Sequence, residues 1–562
     1  MLGALVSLLF AAGAACFGHL LVRRLTDSLD PALAAGLAGL AGLGAIGTLT
    51  LFVGLVPGGL GSFGAASMWL LVALSGALCW KGMKPRISLR LPKGADALFL
   101  LAVAVALLFA LVSVLAPSDM AEWDSLAYHL AVPKIWLQAH QIQPITFIHQ
   151  SNFPLAVDNL YIWGLFWGGE PGAKAFTLAF AVFGTLAVFG LARQVYGGRA
   201  GWWAALAWCT IPAVLWLSGT GYIDVQNGLY AGLGILFAGM LVGNGSLRYA
   251  WLAGIMMGLA AGSKYTGFET LFAACLVLVV ALAWAPKTQN PKPKVRSSLG
   301  LIVGLALVIA CPWYVKNLAW TGNPVYPFFY SRFGGNHWSQ WQTDIYNAEQ
   351  QSFGVGRETP PSSPIEPQRI GHAILGLAYQ PGRFINPGET SGQGFPVGAI
   401  GFAVIASLLL WLIAGRAGAF EGSVLAAVLV SLAMWFVLSE QSRYIIALGV
   451  PLSVLAGGGV TRLRAGPVLA AAIVIQALAA LYVVKSMRFD TQIQILAGKI
   501  SVSDYMNQAV PFYDPAQELN RIAGGGRVAL YDEVFGYLLD VPYLWANPGH
   551  SNELGYTDMR SS

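Results

Sequence analysis

The sequence contains very little charge. Only 10% of its 562 residues are Asp, Glu, Lys or Arg, whereas a soluble domain carries about 25%. Hydrophobic residues make up 56% of the chain and the mean hydropathy is +0.63. Apolar runs of about 20 residues, the length that crosses a hydrocarbon core roughly 30 Å thick, recur along almost the whole chain. These features exclude an ordinary soluble domain and predict a polytopic membrane protein.

Cysteine is scarce, and no pair has the CxxC spacing of a redox or zinc motif. All five cysteines lie in or at the edge of apolar runs, so we interpret them as small core residues. Neither a disulfide framework nor a metal site is predicted. The cysteines are Cys16, Cys79, Cys209, Cys275 and Cys311.

The first apolar segment has no basic residue before it. The basic pair Arg23 and Arg24 instead follows it, which is the reverse of the charge order in a signal peptide. We therefore predict a retained first span with the N-terminus outside.

Counting apolar runs between charged or Gly/Pro-rich breaks predicts fourteen spans. Their approximate bounds are 2–22, 32–56, 63–80, 97–116, 174–192, 201–218, 225–242, 249–263, 266–285, 299–315, 395–415, 421–439, 444–461 and 466–484.

Basic residues concentrate in the short loops of one side. The segment 81–96 alone contains Lys81, Lys84, Arg86, Arg90 and Lys93. By the positive-inside rule these loops face the cytoplasm. The formal net charge of +6 is thus a topology signal, and it does not indicate a nucleic-acid partner.

Three long segments fall on the opposite, outer side: 117–173, 316–394 and the tail 485–562. In the tail, "GGGRVALYDEVFGYLLDVPYLW" predicts a strand, a short helix and a second strand. So much mass on one face favours an enzyme that acts outside the cytoplasm over a simple channel or carrier.

The stretch "EWDSLAYHLAVPK" follows the fourth predicted span. If it opens a helix lying along the membrane, Asp124 and Tyr128 share one face at positions i and i+4. Asp124 could instead be an N-cap, because "DSLAYHL" is a plausible helix start. The two interpretations are compatible only if the side chain keeps one oxygen free.

Four further polar stretches lie at the same predicted face. Asp224 occurs in "SGTGYIDVQNGLY", Lys264 in "GLAAGSKYTG", and Arg443 with Tyr444 in "SEQSRYIIALGVP". Ionisable residues inside a bundle cost about 2.5–3.5 kcal/mol at a helix centre and so suggest function, although Lys264 could merely snorkel to the interface. The remaining stretch, "CPWYVKNLAWTGNPVYP", contains a Gly-Asn-Pro turn.

The acids and cations together suggest a division of labour. A carboxylate can accept the proton of an attacking hydroxyl, and Lys or Arg can hold a phosphate and stabilise it as it leaves. A lipid phosphate donor would explain why the cations lie at the membrane boundary.

The order of these motifs resembles the GT-C superfamily of polyprenyl-phosphate-sugar glycosyltransferases. The similar branch includes the protein O-mannosyltransferases, the aminoarabinose transferase of lipid A and the rhizobial lipopolysaccharide core transferases. In that family the first outer loop begins with an acid, commonly "DE", followed by a spaced tyrosine. Asp124 and Tyr128 match this spacing, Ser125 replaces the second acid, and Glu122 is the candidate to compensate.

The resemblance covers roughly residues 97–465 and extends to the other stretches. Phe153-Pro154-Leu155 resembles the family's "PL" segment, and "YIDVQNGLY" its short aspartate loop. "GLAAGSKYTG" is a shortened form of its lysine motif. "PWYVKNLAWTGNPVYPF" matches "PWxxRNxxxTGNPxxP" with Lys316 in place of arginine, and "SRYIIALGVP" matches its late "RYxxPxxP" element.

The span count, the tail pattern and the resemblance together predict an all-α polytopic membrane protein with a GT-C-like bundle of about 14 transmembrane helices, outer-face loops and a small C-terminal α/β tail. The chain is thereby divided into a three-span N-terminal extension (1–96), whose role the resemblance does not imply, a catalytic core (97–465), a last span (466–484) and an extracytoplasmic tail (485–562).

The resemblance further implies a transferase that moves a sugar from a polyprenyl phosphate to an acceptor hydroxyl with inversion. Asp124 would be the general base, Asp224 would orient acceptor or sugar, and Lys264 and Arg443 would bind the donor phosphate. We expect these four residues around one outer cavity. The candidate cavity or acceptor residues are Glu122, Trp123, Tyr128, His129, Tyr222, Lys316, Asn317, Asn323 and Tyr444.

Two of these roles keep an alternative. His129 could make a structural hydrogen bond, and Asp124 with Glu122 could hold a divalent cation, although the scheme requires no cofactor. The expected partners are the polyprenyl-phosphate-linked sugar, a lipid, polysaccharide or protein acceptor, and the bilayer. The expected location is the inner (plasma) membrane, with the active site facing the periplasm or exterior.

Two rival functions remain open. An oligosaccharide ligase of the oligosaccharyltransferase kind would carry a "WWD" motif, but Trp202 and Trp203 precede Ala204. A flippase or transporter for lipid-linked glycans predicts inverted repeats and charges near the bilayer midplane, whereas no repeat is evident in this sequence and its charges gather at one face.

Overall fold

The computed structural model describes residues 1–82, 94–284, 295–352, 367–379 and 399–547, together with 549, 551 and 553. Within these ranges the chain is a bundle of α-helices with a two-stranded sheet near its end. The helices are α1 Leu2–Thr26, α2 Pro31–Gly54, α3 Ser62–Gly82, α4 Ala95–Leu115, α5 Ala131–Gln138, α6 Asp158–Tyr196, α7 Gly198–Cys209, α8 Pro212–Leu217, α9 Asp224–Asn244, α10 Leu247–Ser263, α11 Thr266–Trp284, α12 Val295–Thr321, α13 Tyr330–Phe333, α14 Gln340–Gln351, α15 Pro367–Tyr379, α16 Phe402–Ala414, α17 Ala419–Leu438, α18 Ile446–Arg462, α19 Gly466–Val484, α20 Asp490–Leu496, α21 Val502–Ala509 and α22 Tyr513–Ile522.

Ten helical stretches in the described part of the chain are long and apolar enough to cross a membrane. Two further apolar helices, over Thr266–Ala281 and Phe402–Ala414, are shorter. The prediction of an all-α multi-pass membrane protein is therefore confirmed.

Each of the fourteen predicted spans falls at least partly on a helix. The predicted span 201–218 is broken between α7 and α8, where Pro212 occupies the first position of the new helix and has no N–H to continue the old one. Helix α10 has only 17 residues, and residues 395–398 lie outside the described ranges. The count of about fourteen stays a prediction.

Helix α6 begins at Asp158, well before the predicted span 174–192. Its backbone breaks at Gly169, whose φ of 61° lies in the left-handed region that glycine adopts easily, and Pro171 follows. In the first half, the side chains of Tyr161 and Trp163 are fully buried, whereas Phe166 is 39% exposed.

The segment between α4 and α6 is compact. It contains a 3₁₀ turn at Met120–Glu122, one π-helical turn at Ser125–His129, helix α5 and a second 3₁₀ turn at His149–Asn152. The two turns nearest α4 carry most of the polar residues of the first motif.

The N-terminal helices pack directly on the rest of the bundle. Helices α1 and α2 approach so closely that a Cβ added at Gly42 would lie 1.9 Å from the backbone oxygen of Ala14. The Asn159 amide donates to the Gly47 oxygen at 2.9 Å, and the Trp163 indole donates to the Thr50 hydroxyl at 2.8 Å. The first three spans therefore brace the start of α6.

The tail forms the predicted strand, short helix and strand. β1 (Val528–Leu530) and β2 (Tyr543–Trp545) pair in parallel, with a 3₁₀ turn at Gly536–Leu538 between them. This unit packs on the segment between α4 and α6: Lys134 Nζ donates to the Tyr537 oxygen at 2.9 Å.

Candidate active site

Asp124 directly precedes the π-helical turn. The Tyr128 hydroxyl donates to Asp124 Oδ2 at 2.7 Å, so the expected pairing of positions i and i+4 is present. The Asp124 side chain makes no capping hydrogen bond at the start of this turn. Asp124 is 4% exposed, and its carboxylate points to tertiary partners.

Arg443 is the main tertiary partner of Asp124. Its Nη1 donates to Asp124 Oδ2 at 2.7 Å. The 3₁₀ turn Ser442–Ile445 before α18 carries the arginine, and Gln441 Oε1 accepts from its Nε at 2.8 Å. The guanidinium also lies 5.2 Å from the centre of the Tyr222 ring, within cation–π range.

Asp224 and Lys264 form a second acid–cation pair, with 2.5 Å between Nζ and Oδ1. Asp224 lies in the first turn of α9 and Lys264 directly follows the end of α10. Both positions suit the helix dipole, which favours an anion at an N-terminus and a cation at a C-terminus. Asp224 is 3% exposed, so the pair presents mainly its lysine.

Tyr444 lies beside both cations. Its ring centre is 4.7 Å from Lys264 Nζ and 5.7 Å from the Arg443 guanidinium carbon. The two ion pairs, which come from four separate motifs of the sequence, therefore meet around one aromatic ring.

Two adjoining cavities open at these pairs. The larger has a volume of about 710 Å³, is lined mainly by apolar and aromatic side chains, and includes Lys264. The smaller, about 70 Å³, is lined by Asp124 and Arg443, with Trp123 and Tyr128. The residues that line both are Phe153, Trp338, Tyr346, Gln350 and Tyr444.

The expectation of one cavity around four charged residues is thus met only in part. Asp124 and Arg443 line the smaller cavity and Lys264 the larger, whereas Asp224 is not among the described residues that line either. Asp224 lies behind Lys264. The ion pair with Lys264 compensates for the cost of burying the Asp224 carboxylate.

Tyr222 and His129 lie behind the smaller cavity. The Tyr222 hydroxyl accepts from the backbone N–H of Asp124 at 3.3 Å. His129 Nδ1 is 2.5 Å from Asp158 Oδ1, and both residues are buried. His129 therefore has the structural hydrogen bond that was the alternative to a cavity role.

Glu122 is fully buried and does not reach either cavity. It accepts from the Ser118 hydroxyl at 2.8 Å and from Arg488 Nη2 at 3.2 Å, and burial raises the pKa of its carboxyl. The proposed compensation for Ser125, and a cation shared between Glu122 and Asp124, find no support in this arrangement. No group of three or more His, Cys, Asp or Glu side chains that could hold a metal ion occurs among the described residues.

Three residues of the "PWYVKNLAWTGNPVYP" stretch donate side-chain hydrogen bonds to backbone oxygens and so stabilise the backbone around them. Lys316 Nζ donates to the Ser151 oxygen at 3.1 Å, and the Asn317 amide donates to the Asn152 oxygen at 2.6 Å. The Asn323 amide closes its own turn by donating to the Phe328 oxygen at 2.9 Å. These three predicted cavity residues are thus buried away from both cavities.

Glu349 on α14 is a cavity residue that no motif indicated. It lines the smaller cavity with Asp124 and Arg443. Burial, and secondly the charge of Asp124, raise the pKa of Glu349. The site thus has a second carboxylate, which comes from a segment more than 200 residues away instead of from position 125. No local spacing could have revealed it.

The sequence and the fold can both be compared with known proteins. Residues 164–313 match a family model described as dolichyl-phosphate-mannose-protein mannosyltransferase. No curated protein sequence matches the chain.

Two solved structures are similar in fold. ArnT from Cupriavidus metallidurans bound to undecaprenyl phosphate has 17% identity and a TM-score of 0.50, and the match covers 80% of this chain and 86% of that one. The apo state of ArnT from Cupriavidus metallidurans gives 15% identity with the same coverage and TM-score. Together with the family match, these findings confirm the resemblance in the motifs: the chain has the fold of the GT-C superfamily of polyprenyl-phosphate-sugar glycosyltransferases.

Proposed function

We propose that this protein is a membrane glycosyltransferase that moves a sugar from a polyprenyl phosphate to an acceptor hydroxyl, with inversion at the anomeric carbon. One observation carries the proposal. A large apolar cavity that contains a lysine adjoins a small polar cavity that contains a carboxylate and a guanidinium, and both cavities share the Tyr444 ring. This arrangement suits a lipid phosphate on one side and a hydroxyl on the other.

The larger cavity is the proposed donor site. Its apolar lining suits a polyprenyl chain, because burial of apolar surface is favourable at about 25 cal/mol per Å². Lys264 would contact the phosphate, and charge-assisted hydrogen bonds of this kind are stronger than neutral ones. The similar ArnT structure holds undecaprenyl phosphate, which supports this class of donor. The apolar lining residues include Phe268, Phe328, Met434, Trp435 and Leu438.

Asp124 is the proposed general base. Its contacts with Tyr128 and Arg443 both end at Oδ2, which leaves Oδ1 for the acceptor hydroxyl. The carboxylate accepts the hydroxyl proton while the acceptor oxygen bonds to the anomeric carbon. The bond from that carbon to the phosphate oxygen breaks, and the electron pair leaves with the lipid phosphate. A single displacement of this kind inverts the anomeric centre.

The two cations would stabilise the leaving phosphate. Each is already paired with an acid, Arg443 with Asp124 and Lys264 with Asp224. We assign Asp224 to holding Lys264 in place, because its carboxylate is buried behind the lysine. Arg443 would lie between the base and the leaving group and contact both.

The rest of the proposal concerns location and partners. Following the distribution of basic loops, the site faces the periplasm or exterior of the inner (plasma) membrane. The acceptor is a hydroxyl of a lipid, polysaccharide or protein, and no cofactor is required.

A transfer assay with the purified full-length protein tests the proposal. It uses a panel of polyprenyl phosphate sugars and compares the wild type with Asp124→Asn. The matched control is Asp344→Asn, an exposed aspartate on α14. General-base catalysis contributes about 10²- to 10⁴-fold, so we expect at least a hundredfold loss for Asp124→Asn and none for the control.

Two results would contradict this function. Undiminished transfer by Asp124→Asn would remove the proposed base. Absence of turnover with every donor, together with movement of a lipid-linked glycan across vesicles, would favour a transporter.

A further inference from the structure

A buried group of charged residues surrounds the stretch of chain directly before Asp124. Its members are three acids and two cations from three different parts of the sequence, here called the anchor cluster. They are Asp119, Glu122, Glu170, Lys174 and Arg488, and Glu170 has the most exposed side chain, at 18%.

Arg488 lies in the π-helical turn Lys485–Phe489, which links α19 to α20. It joins the C-terminal segment, residues 485–547, to the loop that carries Asp124. Its Nη1 donates to both oxygens of Asp119, at 2.9 and 3.1 Å, and its Nη2 donates to Glu122 Oε1 at 3.2 Å. Tyr505, from the same C-terminal segment, also donates to Asp119. Burial by itself would raise the pKa of Asp119, but the charge of Arg488 and the hydrogen bonds from Tyr505, Arg488 and the Ala121 N–H together hold that pKa below its ordinary value.

Lys174 holds the same stretch of chain from the other side. It donates to the Ala116 oxygen at 2.9 Å and lies 3.6 Å from Glu122 Oε1. Glu170, one turn earlier on α6, accepts from the backbone N–H of Ser118 at 2.6 Å. The chain from 116 to 122 is thus held between α6 and the C-terminal segment.

Two members of the anchor cluster, Asp119 and Glu122, lie within five residues of the proposed base in the sequence. Asp119 caps the 3₁₀ turn Met120–Glu122 by accepting from the Ala121 N–H at 2.9 Å, and this turn leads directly into Trp123 and Asp124. The Trp123 ring packs edge-on against Phe535 of the tail at 6.2 Å. The placement of Asp124 therefore depends on contacts made by the C-terminal segment.

The donor side of the site has separate supports. Lys264 and Asp224 come from α9 and α10, and no member of the anchor cluster is among the described residues that line either cavity. A change in the cluster should therefore move the base without moving the phosphate-binding lysine.

We infer that Arg488 is a positioning residue for Asp124, and that the C-terminal segment is a working part of the active site instead of an accessory module. This inference rests on the proposed function. Arg488 contacts neither reactant; it acts through the 3₁₀ turn that places the carboxylate beside Arg443 and Tyr128. A misplacement of about 1 Å in a catalytic group can lower the rate roughly a hundredfold.

The experiment compares Arg488→Gln and Arg488→Lys in the full-length protein in lipid nanodiscs. The matched control is Arg521→Gln, an exposed arginine of the tail that pairs only with Glu518 in the described residues. The readouts are kcat, donor KM, binding of undecaprenyl phosphate, and hydrogen exchange over residues 116–131 and 224–263.

For Arg488→Gln we expect kcat to fall ~10- to 100-fold, with donor KM and undecaprenyl phosphate binding within about twofold of the wild type. Exchange should rise over 116–131 and stay unchanged over 224–263. Arg488→Lys keeps the charge but loses the fork geometry, so it should restore part of the rate. Arg521→Gln should match the wild type in every readout.

Wild-type kcat and wild-type exchange over 116–131 in Arg488→Gln would overturn the inference. So would an equal loss of donor binding, because that indicates general unfolding. If Arg488→Gln is not recovered folded, Arg488→Lys decides by the same readouts. If the wild type transfers no sugar, the proposed function fails, and the exchange data alone decide whether Arg488 holds the loop.

Discussion

At the scale of single residues, two acids of the site are each paired with a cation. Asp124 pairs with Arg443 at 2.7 Å and Asp224 with Lys264 at 2.5 Å. Under the proposed function, a donor phosphate would therefore compete with a carboxylate for each cation. Glu349 stands apart, because it adds a second carboxylate to the smaller cavity, beside Asp124.

The raised pKa of Glu349 predicts that the stability of the protein depends on pH. Burial and the neighbouring Asp124 raise its pKa in the folded protein, whereas Arg443 lowers it less. The folded state therefore binds this proton more tightly than the unfolded state, whose Glu pKa is about 4.3. Stability from this residue is highest below that value and falls as the pH rises through the folded pKa.

Between pH 4 and pH 8 the thermal stability of the wild type should fall more than that of Glu349→Gln. The inflection that the titration of Glu349 causes in the wild-type pH–activity profile should be absent from the variant. Thermal unfolding and initial rates across that range measure both effects. Glu553→Gln, in the tail, is the control. Identical profiles for wild type and Glu349→Gln would show that Glu349 does not titrate beside Asp124.

At the scale of secondary-structure elements, the site depends on helix ends and turns that other helices hold in place. The start of α6 is braced by α2, and α2 in turn lies against α1 through glycine contacts. The three N-terminal spans thus contribute to the site through packing, although none of their residues lines either cavity in the described part of the chain.

A matched pair of glycine substitutions tests this packing. A Cβ added at Gly42 would lie 1.9 Å from a backbone oxygen of α1, whereas a Cβ at Gly76 in α3 meets nothing within 4 Å. Overpacking typically costs 1–3 kcal/mol, and relief of glycine flexibility in a helix stabilises by roughly 0.5–1 kcal/mol. We expect Gly42→Ala to destabilise the protein by about 1–3 kcal/mol and Gly76→Ala to be neutral or stabilising, as measured by thermal unfolding in detergent. Equal stability of the two variants would contradict close packing of α1 on α2.

Much of the site could be predicted from local spacing and motif order. The i and i+4 positions of Asp124 and Tyr128 predicted that they share one face, and the order of the motifs predicted that Asp224, Lys264 and Arg443 would come together. The roles of Glu349 and Arg488 could not be predicted, because each depends on pairing between segments hundreds of residues apart. Lys316, Asn317 and Asn323 were wrongly placed at the cavity, because a conspicuous motif can serve backbone hydrogen bonds as well as chemistry.

At the scale of the whole molecule, the site occupies one end of the bundle together with the tail. The basic loops occupy the other end in the predicted topology. All five native cysteines lie within helices α1, α3, α7, α11 and α12, so new surface cysteines can report which end faces outward.

The topology predicts thiol labelling from one side only. Arg521→Cys, in the tail, should react with a membrane-impermeant reagent in intact cells, because residue 521 is exposed at the site end. Arg416→Cys, in the exposed link between α16 and α17, should react only after permeabilisation. The unsubstituted protein sets the background. The reverse pattern would place the active site on the cytoplasmic side.

The two cavities draw their walls from different parts of the chain. The larger is built from the bundle and the segment after α12, whereas the smaller also uses the loop before α5 and Gly549 of the tail. Changes in the tail should therefore leave the proposed donor site undisturbed, whereas changes at Arg488 would move Asp124. Under the proposed function, we expect tail variants that keep Arg488 to change the acceptor more readily than the polyprenyl phosphate donor, because Gly549 lines only the smaller cavity.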